Sequence, residues 1–191
     1  MSEQDSGTTH FGFETVPTGA KTARVRAVFD SVASRYDVMN DLMSLGTHRA
    51  WKAFMLNRTG LRPGDTALDV AGGTGDISAG LARQVGPQGR VLHTDINAAM
   101  LSVGSYRLLD QGLSHSVVSL VANEEQLPVA SASVDCVTIA FGLRNVTDKP
   151  RALAEMAQLG YRPDQFERIR IDIDRNEIDL DANGRLLAVD L

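Results

Sequence analysis

The chain has 191 residues, 43% of them hydrophobic and 23% charged, with a formal net charge of −5. That length and balance suit one soluble domain with a sizeable core, and the acidic sign argues against a nucleic-acid surface. No apolar run approaches the roughly 20 residues that span a bilayer, residues 1–9 lack the apolar stretch of a signal peptide, and the single cysteine, Cys136, excludes an internal disulfide. A reducing cytoplasm is therefore the expected location. The four histidines, His10, His48, His93 and His115, show no metal-ligand spacing, so no metal is expected.

Residues 1–19 are polar and contain glycine, and read as a flexible arm, with some apolar weight over residues 10–13. A helical pattern starts at Lys21 with Val25, Val28 and Phe29 on one face, and residues 34–43 suit a further turn or two. Residues 48–57 read as a helix with Trp51, Phe54 and Met55 on one stripe. Two readings stand for these faces: packing on the domain, or a lid whose apolar side meets a greasy substrate.

Residues 62–65 form a turn that launches a buried strand over residues 67–70. The strand stops at Asp69-Val70-Ala71-Gly72-Gly73-Thr74-Gly75-Asp76, and a helix follows with Ile77, Leu81 and Val85 at helical spacing. Strand, glycine turn, helix opens a nucleotide-binding α/β unit, because glycine lets the backbone turn tightly and come close to a ligand. Free N–H groups at the helix start are expected to face that ligand. The spacing is not the G-x-G-x-x-G of a dinucleotide fold, which disfavours a nicotinamide oxidoreductase. An acid at the strand end suits a positively charged ligand instead, such as S-adenosylmethionine with its ammonium and sulfonium.

Residues 90–95 read as a second strand ending in Asp95, about twenty residues past the glycines, where such folds place a carboxylate for ribose hydroxyls. Asn97 is a plausible N-cap for a helix over residues 98–111, and Gly112 a natural stop. A third strand, residues 117–122, delivers Asn123 and Glu124 to the same sheet edge; by itself Asn123 reads more simply as a turn residue. A fourth, residues 134–141, is almost continuously apolar, as a parallel strand covered on both faces should be. The loop over residues 142–148 should border the ligand, since ligands bind outside the carboxyl ends of such strands. Thr147 or Asp148 then caps a helix with Pro150 in its first turn, running to about Leu159.

The residues 69–76, 95–97, 123–128 and 139–148, together with 10–13 and 28–41, resemble the UbiE-type ubiquinone/menaquinone biosynthesis C-methyltransferases. The likeness runs nearly without gaps over residues 10–159. The glycine turn marks class I methyltransferases generally, whereas the stretches around Tyr36 and over residues 142–148 are specific to this family. The resemblance implies an α/β, Rossmann-like class I methyltransferase sheet with helices on both faces. It implies S-adenosyl-L-methionine as cofactor, held by Asp69, Gly72, Gly73, Thr74, Gly75, Asp95, Asn123, Glu124 and Ala140. Asn123 and Glu124 would meet the adenine. The implied reaction is C-methylation of a polyprenyl quinol, demethylmenaquinol or 2-methoxy-6-polyprenyl-1,4-benzoquinol. Arg144 would then stabilise a phenolate or orient a water acting as base, Asn145 would hydrogen-bond the quinol oxygen, and Tyr36 would line the ring or relay a proton. Asp148 is as readily a helix cap as a catalytic part. Peripheral contact with the inner face of a membrane and a homo-oligomer are the partner expectations beside the quinol.

The implied organisation is one domain with three segments: a helical substrate side over residues 1–60, a SAM-binding core over 61–159, and an atypical end over 160–191. After Leu159 the family pattern breaks. Residues 160–183 have no counterpart, so the C-terminal strands are expected to be missing or replaced. Residues 168–181 alternate apolar and charged about a turn near Asp174, which suits an exposed hairpin. Asp172, Asp174 and Asn176 alternate as in a calcium loop, but its glycine and terminal glutamate are absent, so that reading is rejected. Residues 184–191 resemble the family's fifth strand. The altered end also supports a second class of function, a non-catalytic SAM-binding or assembly protein.

Overall fold

The computed structural model describes residues 8–11, 14–17, 47–160, 169–172, 177–180 and 186–189, with side chains over 49–160. The helix expected from Lys21, the turns expected over residues 34–43, and Tyr36 lie outside the described residues. Two short strands come first, β1 (Thr8–Phe11) and β2 (Glu14–Pro17), paired antiparallel. They replace the arm expected from glycine and polar content. The β-branched Thr8, Thr9, Thr15 and Val16 favour extended backbone whatever their polarity.

Helix α1 (Thr47–Arg58) leads into β3 (Thr66–Val70), α2 (Asp76–Val85), β4 (Arg90–Asp95), α3 (Ala98–Asp110) and β5 (Val117–Val121). Then come β6 (Cys136–Ala140), α4 (Lys149–Gly160), β7 (Ile169–Asp172), β8 (Glu177–Leu180) and β9 (Leu186–Val189). Five of the strands form one parallel sheet in the order β5-β4-β3-β6-β9. β7 and β8 pair antiparallel with Asp172 opposite Glu177, as the alternating sequence suggested. The fifth strand read from residues 184–191 pairs with β6, so that position in the sheet is filled.

Period-two alternation sorts the side chains between the two faces of the sheet. Leu68 and Val70 of β3 and Val137 and Ile139 of β6 meet Leu153 and Met156 of α4. Ala67, on the opposite side of β3, meets Leu81 and Val85 of α2 and Met55 of α1. Helices therefore cover both faces, as a parallel sheet requires. Asp69 has the parity of Ala67 and so points to the α2 side. Sequential strands step outward from β3 through β4 to β5, and then β6 returns to the other flank of β3. That reversal opens a crevice between the ends of β3 and β6.

Helix α1 lies along α2 in a fixed register. Lys52 meets Asp76, Leu56 overlies Gly80, and Thr59 bonds Gln84. A Cβ at Gly80 would stand 2.4 Å from Leu56 Cδ1, so glycine is what admits Leu56. Gln84 also donates to the Leu56 carbonyl at 2.8 Å. The stripe that packs is thus Lys52, Met55, Leu56 and Thr59. Of the expected stripe only Met55 is buried, while Trp51 and Phe54 are 44% and 55% exposed. Sequence patterning missed this because two of the four packing residues are polar.

Helix α3 is capped as expected: Asn97 Oδ1 accepts from the N–H groups of Ala99 and Met100, both at 2.9 Å. Inside it, Gly104 presses against the glycine turn. A Cβ there would lie 2.7 Å from the Gly73 carbonyl oxygen and 2.6 Å from His93 Cε1. Backbone on one side and a buried ring on the other leave no room to yield. Replacing glycine by alanine within a helix ordinarily stabilises by about 1 kcal/mol. Gly104→Ala should instead destabilise, by ~1–3 kcal/mol, in urea unfolding. A gain in stability would contradict the packing described.

Candidate functional site

The glycine turn is built from constraints on each side of it. Ala71, just after β3, adopts φ +52°, and Phe141, just after β6, adopts φ +59°. Left-handed backbone at two non-glycine residues costs on the order of 1–3 kcal/mol each and clusters at functional sites. The two loops touch: a Cβ at Gly142 would lie 2.6 Å from Ala71 Cβ. At Gly72 a Cβ would meet His93 Cδ2 at 2.5 Å and Asp69 Oδ2 at 2.8 Å. Only a residue without a side chain lets the turn sit that low over the sheet.

Two buried carboxylates fix the turn. Asp69 is 1% exposed and accepts from Ser78 Oγ at 2.6 Å and Thr138 Oγ1 at 2.9 Å. It also accepts from the Ser78 backbone N–H, so it anchors the first turn of α2 from below. Burial pushes its carboxyl up to about 6, against the pull of those hydrogen bonds and of Lys52. Asp95 accepts the Gly73 N–H on Oδ2 at 2.9 Å and the Asn97 N–H on Oδ1 at 2.8 Å. Burial raises its carboxyl too, while those two N–H groups oppose the rise. Each oxygen keeps a lone pair for a further donor such as a ligand hydroxyl.

His93, fully buried, completes the support. Nε2 lies 3.2 Å from the Gly73 carbonyl and Nδ1 3.1 Å from Ser119 Oγ. Burial lowers its pKa, with Asp95 opposing, so the ring is held neutral. A neutral ring donating from Nε2 to Gly73 accepts the Ser119 hydroxyl at Nδ1.

The turn and the neighbouring strand ends enclose a cavity of about 220 Å³. Asp69, Gly72, Gly73, Thr74 and Asp95 line it at the ends of β3 and β4. Asn123, Glu124, Ala140 and Asn145 line it from the ends of β5 and β6. Nine of the residues singled out in the sequence thus come together. Gly75 stands outside the lining, with φ +83° and against Gly104 and Leu108. Arg144 is exposed and also outside the lining, although its neighbour Asn145 is within it. Asn123 Oδ1 accepts the Glu125 N–H at 2.9 Å, the turn role that its sequence alone favoured. Asp148 is the helix cap: its Oδ1 accepts the Arg151 N–H at 3.1 Å.

Sequence reasoning passed over four residues of this site. Ser78, Thr138 and His93 hold the acids and the turn, and Lys52 of α1 lines the cavity. His93 alone left a readable trace, since in a strand it shares a face with Asp95, two residues on. The lining carries five acids, Asp69, Asp76, Asp95, Glu124 and Glu125, against the one lysine. Such a cavity suits a ligand with positive charge.

Glu124 is 8% exposed, and burial lifts its carboxyl to about 7, helped by the nearby Asp95 charge. A folded value raised above the unfolded 4.5 means that the protonated form favours folding. That stabilisation is complete below pH 4.5 and is lost as pH rises through about 7. Glu124→Gln fixes the neutral state. Its melting temperature should exceed that of the parent protein at pH 8 by ~3–8 °C, and the gap should close below about pH 4.5. A gap independent of pH would contradict the burial of a titrating carboxyl here.

The chain matches the ubiE/COQ5 methyltransferase family over residues 17–162. It is 54% identical over 159 residues to the ubiquinone/menaquinone biosynthesis C-methyltransferase UbiE of Hahella chejuensis, covering 83% of this chain and 63% of that protein. To the protein of the same name from Teredinibacter turnerae it is 55% identical over 152 residues, covering 80% of this chain and 61% of the relative. The chain therefore spans about three-fifths of the length of the curated relatives it matches. Among solved structures it resembles a SAM-dependent methyltransferase from Aquifex aeolicus, at TM-score 0.53 and 27% identity, over 59% of this chain and 58% of that one. Geranyl diphosphate C-methyltransferase from Streptomyces coelicolor shares the fold at TM-score 0.55 and 23% identity, over 64% of this chain and 44% of that one. With the glycine turn, the parallel sheet and a family match across most of its length, this chain belongs to the ubiE/COQ5 methyltransferase family.

Proposed function

We propose that this chain binds S-adenosyl-L-methionine in the acid-lined cavity and carries the donor half of a quinol C-methyltransferase. The observation that supports this most is the placement of Asp95 and Glu124 beside the glycine turn, in a cavity lined by five acids and one lysine. The donor suits that lining: its sulfonium and ammonium favour a negative wall, and its ribose hydroxyls suit the remaining lone pairs of Asp95. When bound, the donor supplies an electrophilic methyl group. The protein's share is to orient and to exclude water, which accounts for most of the rate in a reaction between two positioned partners.

The acceptor we propose is a polyprenyl quinol, demethylmenaquinol or 2-methoxy-6-polyprenyl-1,4-benzoquinol, as the names of the relatives suggest. In this reading Asn145, in the cavity wall, takes the quinol oxygen, and Arg144 beside it favours the phenolate or orients a water that removes the ring proton. Tyr36 is assigned to the quinol ring. Trp51 and Phe54 fit a greasy partner: they are exposed on α1 with their rings edge-to-face, 6.1 Å between centroids. This division makes residues 1–60 the substrate side, 61–159 the donor core and 160–191 an atypical end within one domain. The tail of such a substrate supports work at the inner membrane face by a cytoplasmic protein.

Calorimetric titration of the 191-residue chain with S-adenosylhomocysteine tests the reading. One-to-one binding is expected, weakened at least ~30-fold by Asp95→Ala. Binding of equal strength in that variant would remove Asp95 from the site, and no binding by the parent chain would overturn the donor reading.

A further inference from the structure

The cavity contains a charge pattern that the acids alone do not explain. Among the described residues that line it, Lys52 is the one cation. Its Nζ lies 2.8 Å from Asp76 Oδ2, its side chain is 18% exposed, and its charge favours the ionised form of Asp69. Lys52 is also held rigidly. Leu56, one turn on, overlies Gly80, and Thr59 is bonded to Gln84, so the α1–α2 register fixes where the ammonium sits. That place is beside Asp76, the first residue of α2, and near enough to Asp69 to act on its charge, on the β3 side of the cavity, whereas Asn123 and Glu124 follow β5, two strands away in the sheet.

A carboxylate entering the β3 side would ordinarily use backbone N–H groups of the turn and helix start. Here four of them are already committed. The Gly72 N–H goes to the Thr94 carbonyl at 2.8 Å, the Gly73 N–H to Asp95, the Gly75 N–H to the Gly72 carbonyl at 2.9 Å, and the Ser78 N–H to Asp69. These four donors serve the protein itself, and the wall around them is acidic. The ammonium of Lys52 carries three donors, one of which goes to Asp76. Two remain for a ligand without breaking that bond.

We propose that Lys52 is the residue that recognises the α-carboxylate of the donor, making the cavity specific for an amino-acid-bearing nucleoside over a plain one. The inference rests on the donor reading above and adds to it the group that reads the far end of the ligand. Asp69 and Asp76 then serve the adjacent ammonium, and Lys52 keeps the two acids from repelling the carboxylate between them. Methylthioadenosine carries the same adenosine and thioether without the amino-acid part, so it reports on the rest of the cavity alone.

The test is calorimetric titration of the full chain and of Lys52→Met and Lys52→Arg with both S-adenosylhomocysteine and 5′-methylthioadenosine, with thermal unfolding of each variant. Lys52→Met should weaken S-adenosylhomocysteine by ~10- to 100-fold and change methylthioadenosine by less than about twofold. Lys52→Arg should recover most of the loss, because it keeps the charge. Equal loss for the two ligands would show that Lys52 only holds α1 in place and would overturn the proposal. So would unchanged affinity for S-adenosylhomocysteine. If the parent chain binds neither ligand, the donor reading itself fails, and a parent that binds both with equal affinity would remove carboxylate recognition while leaving the nucleoside site in place.

Discussion

The fold's functional end depends on one close approach, that of Gly72 to the His93 ring and the Asp69 carboxylate. With no Cβ in the way, the turn after β3 lies directly on the neighbouring strand and donates its N–H to the Thr94 carbonyl. Everything else at the site is measured from that contact. Gly73 can then reach Asp95, its carbonyl meets His93 from above, and Gly104 of α3 closes over both. The arrangement buries three titratable groups within one small region, each at an electrostatic cost that its hydrogen bonds offset only in part. Asp69 and Asp95 are held above their ordinary values and His93 below its own. A ligand of positive charge relieves part of that cost for the acids, so the acids give a cationic ligand an affinity that the unliganded fold does not use.

A second constraint runs from α1. Its register along α2 joins the helix that carries the exposed Trp51 and Phe54 to the acid-lined cavity at the glycine turn. Lys52 and Leu56 on one face of α1, and Thr59 just past its end, meet Asp76, Gly80 and Gln84 in turn along the facing side of α2. The exposed Trp51 and Phe54 are carried on the same rigid helix as the ammonium in the cavity. A shift of α1 by one turn would break all three contacts together, which makes the helix a single positioning element.

Much of this was legible in the sequence because the relevant signals are local. A parallel strand buried on both faces reads as an apolar run, and β3 and β6 are such runs. The glycine turn, the Asn97 cap and the acid ending β4 each occupy a few consecutive residues. Of the site residues outside that class, only His93 was legible, and only as sharing a strand face with Asp95. His93 acquires its role from Gly73, Ser119 and Gly104, which only strand register and helix packing bring together. Ser78 and Thr138 look like ordinary helix and strand residues until Asp69 is placed between them. The packing face of α1 is hard to read from sequence because Lys52 and Thr59 share it with Met55 and Leu56, while the aromatics Trp51 and Phe54 stay exposed. The N-terminal pairing of β1 with β2 was missed because composition was weighed above β-branching. The fifth strand was legible as residues 184–191, but its partner, β6, followed only from topology.

The central claim is that the glycine turn is formed and internally satisfied before any ligand arrives. Amide hydrogen exchange of the unliganded chain, read at Gly72, Gly73 and Gly75, tests it directly. Their N–H groups are bonded to Thr94, Asp95 and Gly72 respectively. The account predicts protection at Gly72 and Gly73 comparable to that of the β3 and β4 amides, because opening the turn requires separating it from both strands. Exchange at these positions as fast as in an open loop would contradict it, and would mean that the ligand, rather than the buried acids, shapes the turn.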